Sequence, residues 1–386
     1  MALKTAVMHH SLNIPGGAER LCLAVIEALR RKRHEVTLIT VEKTDWNLVQ
    51  RNFGNVTRPN NEDYLSGFRF SKFLSSIPSA SLYFTACVLQ LLLNKSRRRY
   101  DLLINTFGDA VNSVADITYI HFPLRAAVGF SQIPAFTSKQ MWSAAAPLYG
   151  MAMSFLDRIS PGELLTNSEF MQEIIKNVLH RKSLVVYPPV DVETFSSRCF
   201  KSRKNGRIVA TISSYTPKRH LEQIPLIAKH TKSAKFMVMG KTGEYSLPTL
   251  RKLQTLVKTL HVEDRVKLLT NVPIDKFLEI LSRAKVYLHV MPWDHFGISV
   301  VEAMASGCVP VVHRSGGPWL DILGGRQGEY GFSYVAAEEA ASFIGALVTD
   351  ENLRSKMASR DLYRAKKFDR SVFMKKVVEV VEKVAC

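Results

Sequence analysis

The chain alternates short apolar, β-rich runs with segments whose apolar residues recur every three or four positions. Lys4–His10 is the first run. Gly16-Gly17 then opens a helical pattern from about Ala18 to Arg33, and Glu35–Val41 (EVTLITV) reads as the next strand. Strand, helix and strand in this order predict a parallel pair joined by a right-handed crossover. Further strands are expected at Asp101–Asn105, Ile117–His121 and Glu163–Thr166. After SLVVYPPVDVETF, a strand running into a double proline, the text SSRCFKSRKNGR is polar, basic and aperiodic. A domain boundary is expected there. A second series of strands follows at Arg207–Ile212, Lys235–Gly240, Val266–Leu269, Val286–Met291 and Val309–His313, with helical patterns between them. The segment Ser371–Val384 places Val372, Phe373, Val377, Val378, Val380 and Val381 on one stripe and predicts a final amphipathic helix.

This pattern predicts an α/β protein with two doubly wound, Rossmann-like domains, residues 1–195 and 196–366. A C-terminal helix, 367–386, is expected to pack back on the first domain. The length of 386 residues fits two cores better than one. Open parallel sheets bind ligands beyond the carboxyl ends of their strands. Two such edges facing each other would form a cleft, so the loops after strands are where chemistry is expected.

Composition changes this picture little. Apolar residues make up 46% and charged residues 22% of the chain, ordinary values for a globular protein. Cys22, Cys87, Cys199, Cys308 and Cys386 are scattered, without metal-ligand spacing, which predicts a reducing compartment and neither a zinc site nor a disulfide framework. The start, MALKTAVMHHSLNIPGG, reads as an apolar run entering a glycine turn, with no signal peptide. The net charge of +18 points to an anionic partner. Arg30, Arg31, Lys32 and Arg33 complement the end of the first helix. Lys95 and Arg97–Arg99 follow the apolar run ASLYFTACVLQLLL, which falls short of the ~20 residues of a spanning helix. That run fits a buried helix or one lying at a membrane surface beside its basic flank. Nucleic acid is not expected, because no helix-turn-helix, RNP or zinc-finger pattern occurs.

Four strand-end loops carry candidate chemistry. In NIPGGAER, Gly16 and Gly17 allow close backbone approach ahead of a helix N-terminus, either as a plain turn or as an anion seat. NTFGDA places Gly108 at a strand-to-helix turn. In YIHFP, His121 ends a strand, where it is either structural or a substrate contact. The fourth, WDHFGISVVEAMASG, puts Asp294 in a loop and Glu302 about one turn into the following helix, which Gly307 ends. The amides of Phe296, Gly297 and Ile298 stand at that helix start. Two carboxylates beside a ring of N–H donors suit a polyol joined to phosphates, such as a nucleotide-sugar.

The pattern acid–x7–Glu around Phe-Gly resembles the signature of the retaining group 1 glycosyltransferases of the GT-B fold. DHFGISVVEAMASG, PVVHRSGGPWLDI, YIHFP, VVYPPVDVETF, TNSEF and PGGAER together are similar to the GDP-mannose-dependent α-1,2-mannosyltransferases of dolichol-linked oligosaccharide assembly. The resemblance implies that Glu302 binds the donor ribose and Asp294 the transferred sugar. It implies that Phe296, Gly297, Ile298, Gly16, Gly17 and Lys218 or Arg219 attend the sugar and diphosphate, and that His121 lines the acceptor and sugar site. Ser214 stands where many members carry Arg, Asp294 where they carry Glu, and Arg314 where a small polar residue is usual.

No Asp-x-Asp occurs, so the leaving diphosphate is expected to be met by a helix N-terminus and Lys/Arg rather than by a metal, with no cofactor. Asp294 is expected to position the sugar rather than attack it. The expected partners are a nucleotide-sugar, a polyprenyl-diphosphate-linked oligosaccharide and a peripheral membrane contact through the N-terminal domain. The expected place is the cytosolic side of a membrane, the endoplasmic reticulum in a eukaryote. Two alternatives stay open: a related transferase with a UDP-sugar or a soluble acceptor, and a non-catalytic basic binding or scaffold protein.

Overall fold

In a computed structural model of the chain, residues 2–66, 97–108, 115–123, 162–200, 204, 206–243 and 246–385 are described. The apolar run before Lys95 and the aromatic, methionine-rich stretch 124–161 lie outside these residues. The chain divides into two compact units, Met1–Pro189 with Arg370–Cys386, and Val190–Asp369. Among the described residues no helix is long and apolar enough to cross a membrane.

The first unit runs β1 (Lys4–Met8), α1 (Gly17–Arg31), β2 (Glu35–Glu42), α2 (Trp46–Phe53), β3 (Asn61–Ser66), β4 (Leu102–Asn105), β5 (Ile117–Ile120), β6 (Glu163–Thr166), α3 (Glu169–Leu179) and β7 (Leu184–Val185). Its sheet is parallel, in the order β3-β2-β1-β4-β5-β6-β7. The register sets Met8 beside Ile39 on one side and Asn105 on the other. Apart from the polar edge strand β3, the strands are largely apolar on both faces, as parallel strands covered by helices usually are.

The second unit runs β8 (Ile208–Ile212), α4 (Gln223–His230), β9 (Lys235–Gly240), α5 (Leu247–Thr259), β10 (Val266–Thr270), α6 (Ile274–Arg283), β11 (Val286–His289), α7 (Ile298–Ala305), β12 (Val309–His313), β13 (Phe332–Tyr334), α8 (Ala337–Thr349) and α9 (Glu351–Ala365). Its parallel sheet has the order β10-β9-β8-β11-β12-β13.

The final helix, α10 (Arg370–Ala385), belongs to the first unit. Phe373, Val377, Val378, Val380 and Val381 are buried in one core with Leu21, Val25 and Leu29 of α1. Lys32 and Glu382 pair across these helices at 3.1 Å. The basic end of α1 is otherwise spent locally: Arg31 pairs with Glu27 at 2.6 Å, and Arg30 donates to Asn60 at 2.8 Å. Arg97 likewise pairs with Asp116 at 2.7 Å, while Arg98 and Arg99 are exposed.

In each sheet the chain order reverses once, between β1 and β4 and between β8 and β11. The carboxyl end of a parallel sheet at such a switch point is open, because the crossover connections leave it in opposite directions. The candidate residues of each unit collect there.

Candidate functional site

In the second unit the loop after β11 carries the acid. His289, the last residue of β11, is buried, and burial lowers its ring to about 4, so it is a neutral donor. Its Nε2 lies 2.9 Å from Asp294 Oδ2 and fixes that carboxylate. Arg219 Nη1 lies 3.8 Å from the same oxygen and 3.1 Å from Met291 Sδ, and Arg219 Nε is buried without a partner. That leaves a charged donor available to an anion. Lys218, on the same 3-10 turn Pro217–Arg219, is held below its ordinary value by burial and by Arg219, against the pull of Asp294. The structure therefore brings Lys218, Arg219 and Asp294 together at the β8/β11 switch point.

The Phe-Gly pair has a local cause. Phe296 is buried, its ring edge-on to Phe368 with centroids 5.4 Å apart. Gly297 caps α7 at φ +96°, a left-handed conformation that favours glycine. No side chain caps this helix, and it has no acid in its first turn. Glu302 lies in its second turn, buried. Tyr287 OH donates to Ser299 Oγ at 2.8 Å, and its phenol is pushed up chiefly by burial, with Glu302 and Asp294 nearby adding to the effect. Ser315 Oγ accepts from Trp293 N at 2.8 Å, and Gly317 N donates to Asp294 O at 2.8 Å. The Ser-Gly-Gly turn is thus the floor of the acid loop. Arg314 faces away from it, bonded to Ser333 Oγ at 3.1 Å and to Glu339. Ser214 contacts Thr216, with 3.5 Å between their hydroxyl oxygens.

In the first unit His121 follows β5, and its Nε2 donates to Thr106 O at 3.1 Å. Asn167 Nδ2 donates to His121 O at 2.9 Å. His9 Nδ1 lies 3.0 Å from Thr106 Oγ1, and His9 Nε2 lies 3.4 Å from Glu19 Oε1. Gly16 caps α1 in an extended conformation, and Gly17 begins the helix. Burial works to raise the Glu19 carboxyl, but His9 and His10 beside it hold it below its ordinary value. Burial, with His9 beside it, lowers His10 to about 3. Beyond Gly108, at φ +97°, the loop after β4 leaves the described residues.

Sequence reasoning singled out Asp294, Glu302 and the glycines, but not His289, Tyr287 or the His9–Glu19 pair. His289 ends a strand five residues before an acid, the same signal that drew attention to His121.

Residues 193–361 match the family model described as glycosyl transferases group 1. That matched stretch contains Lys218, Arg219, His289, Asp294 and Glu302. A human protein named GDP-Man:Man(3)GlcNAc(2)-PP-Dol alpha-1,2-mannosyltransferase is 34% identical over 181 residues, 43% of this chain and 36% of that one. A Neurospora crassa protein of the same name is 35% identical over 214 residues, 52% of this chain and 38% of that one. The matched stretches thus span little more than a third of either relative. The crystal structure of Anabaena Alr3699/HepE in complex with UDP and glucose superposes with a TM-score of 0.72 at 18% identity, over 99% of this chain and 100% of that one. The fold is GT-B, two parallel-sheet α/β domains.

Proposed function

We propose that the chain is a retaining, metal-independent hexosyltransferase that moves mannose from GDP-mannose to a lipid-diphosphate-linked glycan. The observation that carries this reading is the α7 entrance. There an uncapped helix N-terminus, the cations of Lys218 and Arg219, and the carboxylates of Asp294 and Glu302 share one group 1 domain. The names of the matched relatives support the donor and acceptor classes.

Breaking the C1–O bond leaves positive charge on the sugar ring and negative charge on the diphosphate. Helix amides and two cations can receive that negative charge already oriented, so little reorganisation opposes the step. Asp294 keeps one oxygen bound to the neutral His289, which holds its other oxygen toward sugar hydroxyls. Orientation of this kind can lower a barrier by several kcal/mol. Glu302 takes the ribose hydroxyls, and the donor phosphate accepts the proton of the acceptor hydroxyl on the face from which GDP leaves. His121 faces the acceptor and the transferred sugar. The basic charge and the exposed Arg98 and Arg99 suit a peripheral contact with the cytosolic face of a membrane.

Nucleotide release from GDP- and UDP-sugars, with EDTA present and polyprenyl-diphosphate glycan added, tests the reading on wild type and Glu302→Ala. Release from GDP-mannose, reduced about 100-fold or more in the variant, is expected for a residue whose contact forms the donor site. Release from a UDP-sugar alone would move the donor to the class seen with Alr3699/HepE. Release from none would overturn the enzyme reading.

A further inference from the structure

We infer that the carboxyl end of β1 binds a divalent transition-metal ion of the zinc class through His9 Nε2, His10 Nδ1 and a carboxylate oxygen of Glu19. One potential ligand atom from each of these residues lies within 4.8 Å of the others. None of these three residues is used in the donor chemistry proposed above: Lys218, Arg219, Asp294 and Glu302 belong to the other unit, while His121 shares this one.

The hydrogen bonds decide which atoms carry lone pairs. Thr106 Oγ1 lies 2.8 Å from Met8 O, and a hydroxyl can meet a carbonyl only by donating. With its proton on Met8 O, Thr106 Oγ1 accepts from His9 Nδ1 at 3.0 Å. The neutral His9 ring then carries its lone pair on Nε2, which faces Glu19 Oε1 at 3.4 Å. Two acceptors facing each other need a cation or a shared proton between them. A protonated His9 would satisfy that pair, but it leaves His10 Nδ1 buried beside it with no partner at all. A metal ion satisfies all three.

The surroundings are those of a metal ligand set. An outer hydrogen bond that fixes the tautomer, here from His9 to Thr106, is the rule for ligating histidines. Two ligands about 2 Å from a tetrahedral ion stand about 3.3 Å apart, close to the present His9–Glu19 separation. Two imidazoles and one carboxylate suit zinc, with a further position left for water or a ligand. The loop that bears His10 is braced: Ser11 Oγ donates to Glu42 at 2.6 Å, and Asn13 Oδ1 accepts from Asp45 N at 2.8 Å. Glu19 Oε2 occupies the space where a Cβ on residue 16 would stand, 2.5 Å from it. Glycine at that position lets the carboxylate turn inward.

The test uses the full chain without an affinity tag, stripped of metal and titrated with Co²⁺. Wild type should develop the strong visible absorption of low-coordinate Co²⁺, saturate at one equivalent, and lose it to Zn²⁺. His10→Asn and Glu19→Gln should weaken Co²⁺ binding by more than the ~10- to 100-fold typical of an outer-shell loss, which Thr106→Val should itself show. His261→Asn, an exposed residue of the other unit, should change nothing. Absence of the absorption in wild type, or equal binding by the His10 and Glu19 variants, would overturn the inference and leave His9 and Glu19 as an ion pair. If Glu19→Gln does not fold by circular dichroism, His10→Asn alone decides. Nucleotide release in EDTA reads the donor chemistry separately.

Discussion

Gly16 and Gly316-Gly317 occupy the same kind of place, just past a parallel strand and before a helical turn, yet they are glycine for different reasons. A Cβ on Gly317 would stand 2.5 Å from His295 O and 2.7 Å from Phe296 Cα, both backbone atoms. Gly316 is worse placed still, at φ +70° and with Asp294 O 2.5 Å from the Cβ position. The chain there presses against itself, and the acid loop rests on it. At Gly16 the backbone is extended, as any residue can be, and the Cβ position meets only the Glu19 carboxylate, the end of a flexible side chain. Gly316-Gly317 supports a loop through rigid backbone contact; Gly16 leaves room for a charged group. A glycine pair in a sequence reports close approach, but not what approaches.

The sharpest way to break that distinction is Gly317→Ala. Backbone cannot step aside cheaply, so the acid loop must shift. We expect a loss of about 2–4 kcal/mol, the upper range for a single substitution, seen as a lowered melting temperature. Donor turnover should fall with it, because Asp294 O accepts from Gly317 N. A variant as stable and active as wild type would mean that the two loops do not bear on each other.

The fold was legible because buried parallel strands are unbroken apolar runs: Glu163–Thr166, Lys235–Gly240 and Val309–His313 begin and end where expected. Asn61–Ser66 (NEDYLS) and Phe332–Tyr334 escaped, since edge strands are short or polar and take their identity from one neighbour. The acid spacing of Asp294 and Glu302 was legible too. Their support was not. His289 and Tyr287 look like core in a strand, and only the parallel register turns them toward the loop that follows. Arg314, which looked like a departure at the site, serves β13 instead, through Ser333.

The same contrast runs through the buried carboxyls. Glu19 is held by imidazoles, whereas Asp361 on α9 is fully buried and neither of its oxygens has a partner. Burial pushes the Asp361 carboxyl well above its ordinary value, against a weaker opposing effect of Arg360. The folded state then binds a proton that the unfolded state releases. Stability from this group is full below the unfolded value of about 3.9 and is lost as pH rises toward the folded one. Asp361→Asn should therefore melt higher than wild type at pH 8, with the gap closing near pH 4. A gap that is constant with pH, or that widens on acidification, would put a partner beside Asp361 and remove the contrast.

The smallest effect is expected at Gly16→Ala, and it is the one that separates room from support. The added methyl meets a side-chain oxygen, and rotation of Glu19 relieves the contact. Stability should change by less than about 1 kcal/mol, since no backbone must move and the extended conformation suits alanine. What should change is the His9–Glu19 pairing, so Co²⁺ affinity at this end of β1 should drop while the melting temperature holds. If melting falls as far as in Gly317→Ala, Gly16 is a backbone contact like its counterpart. If neither quantity moves, Glu19 finds its place without the room that glycine leaves, and the turn is only a turn.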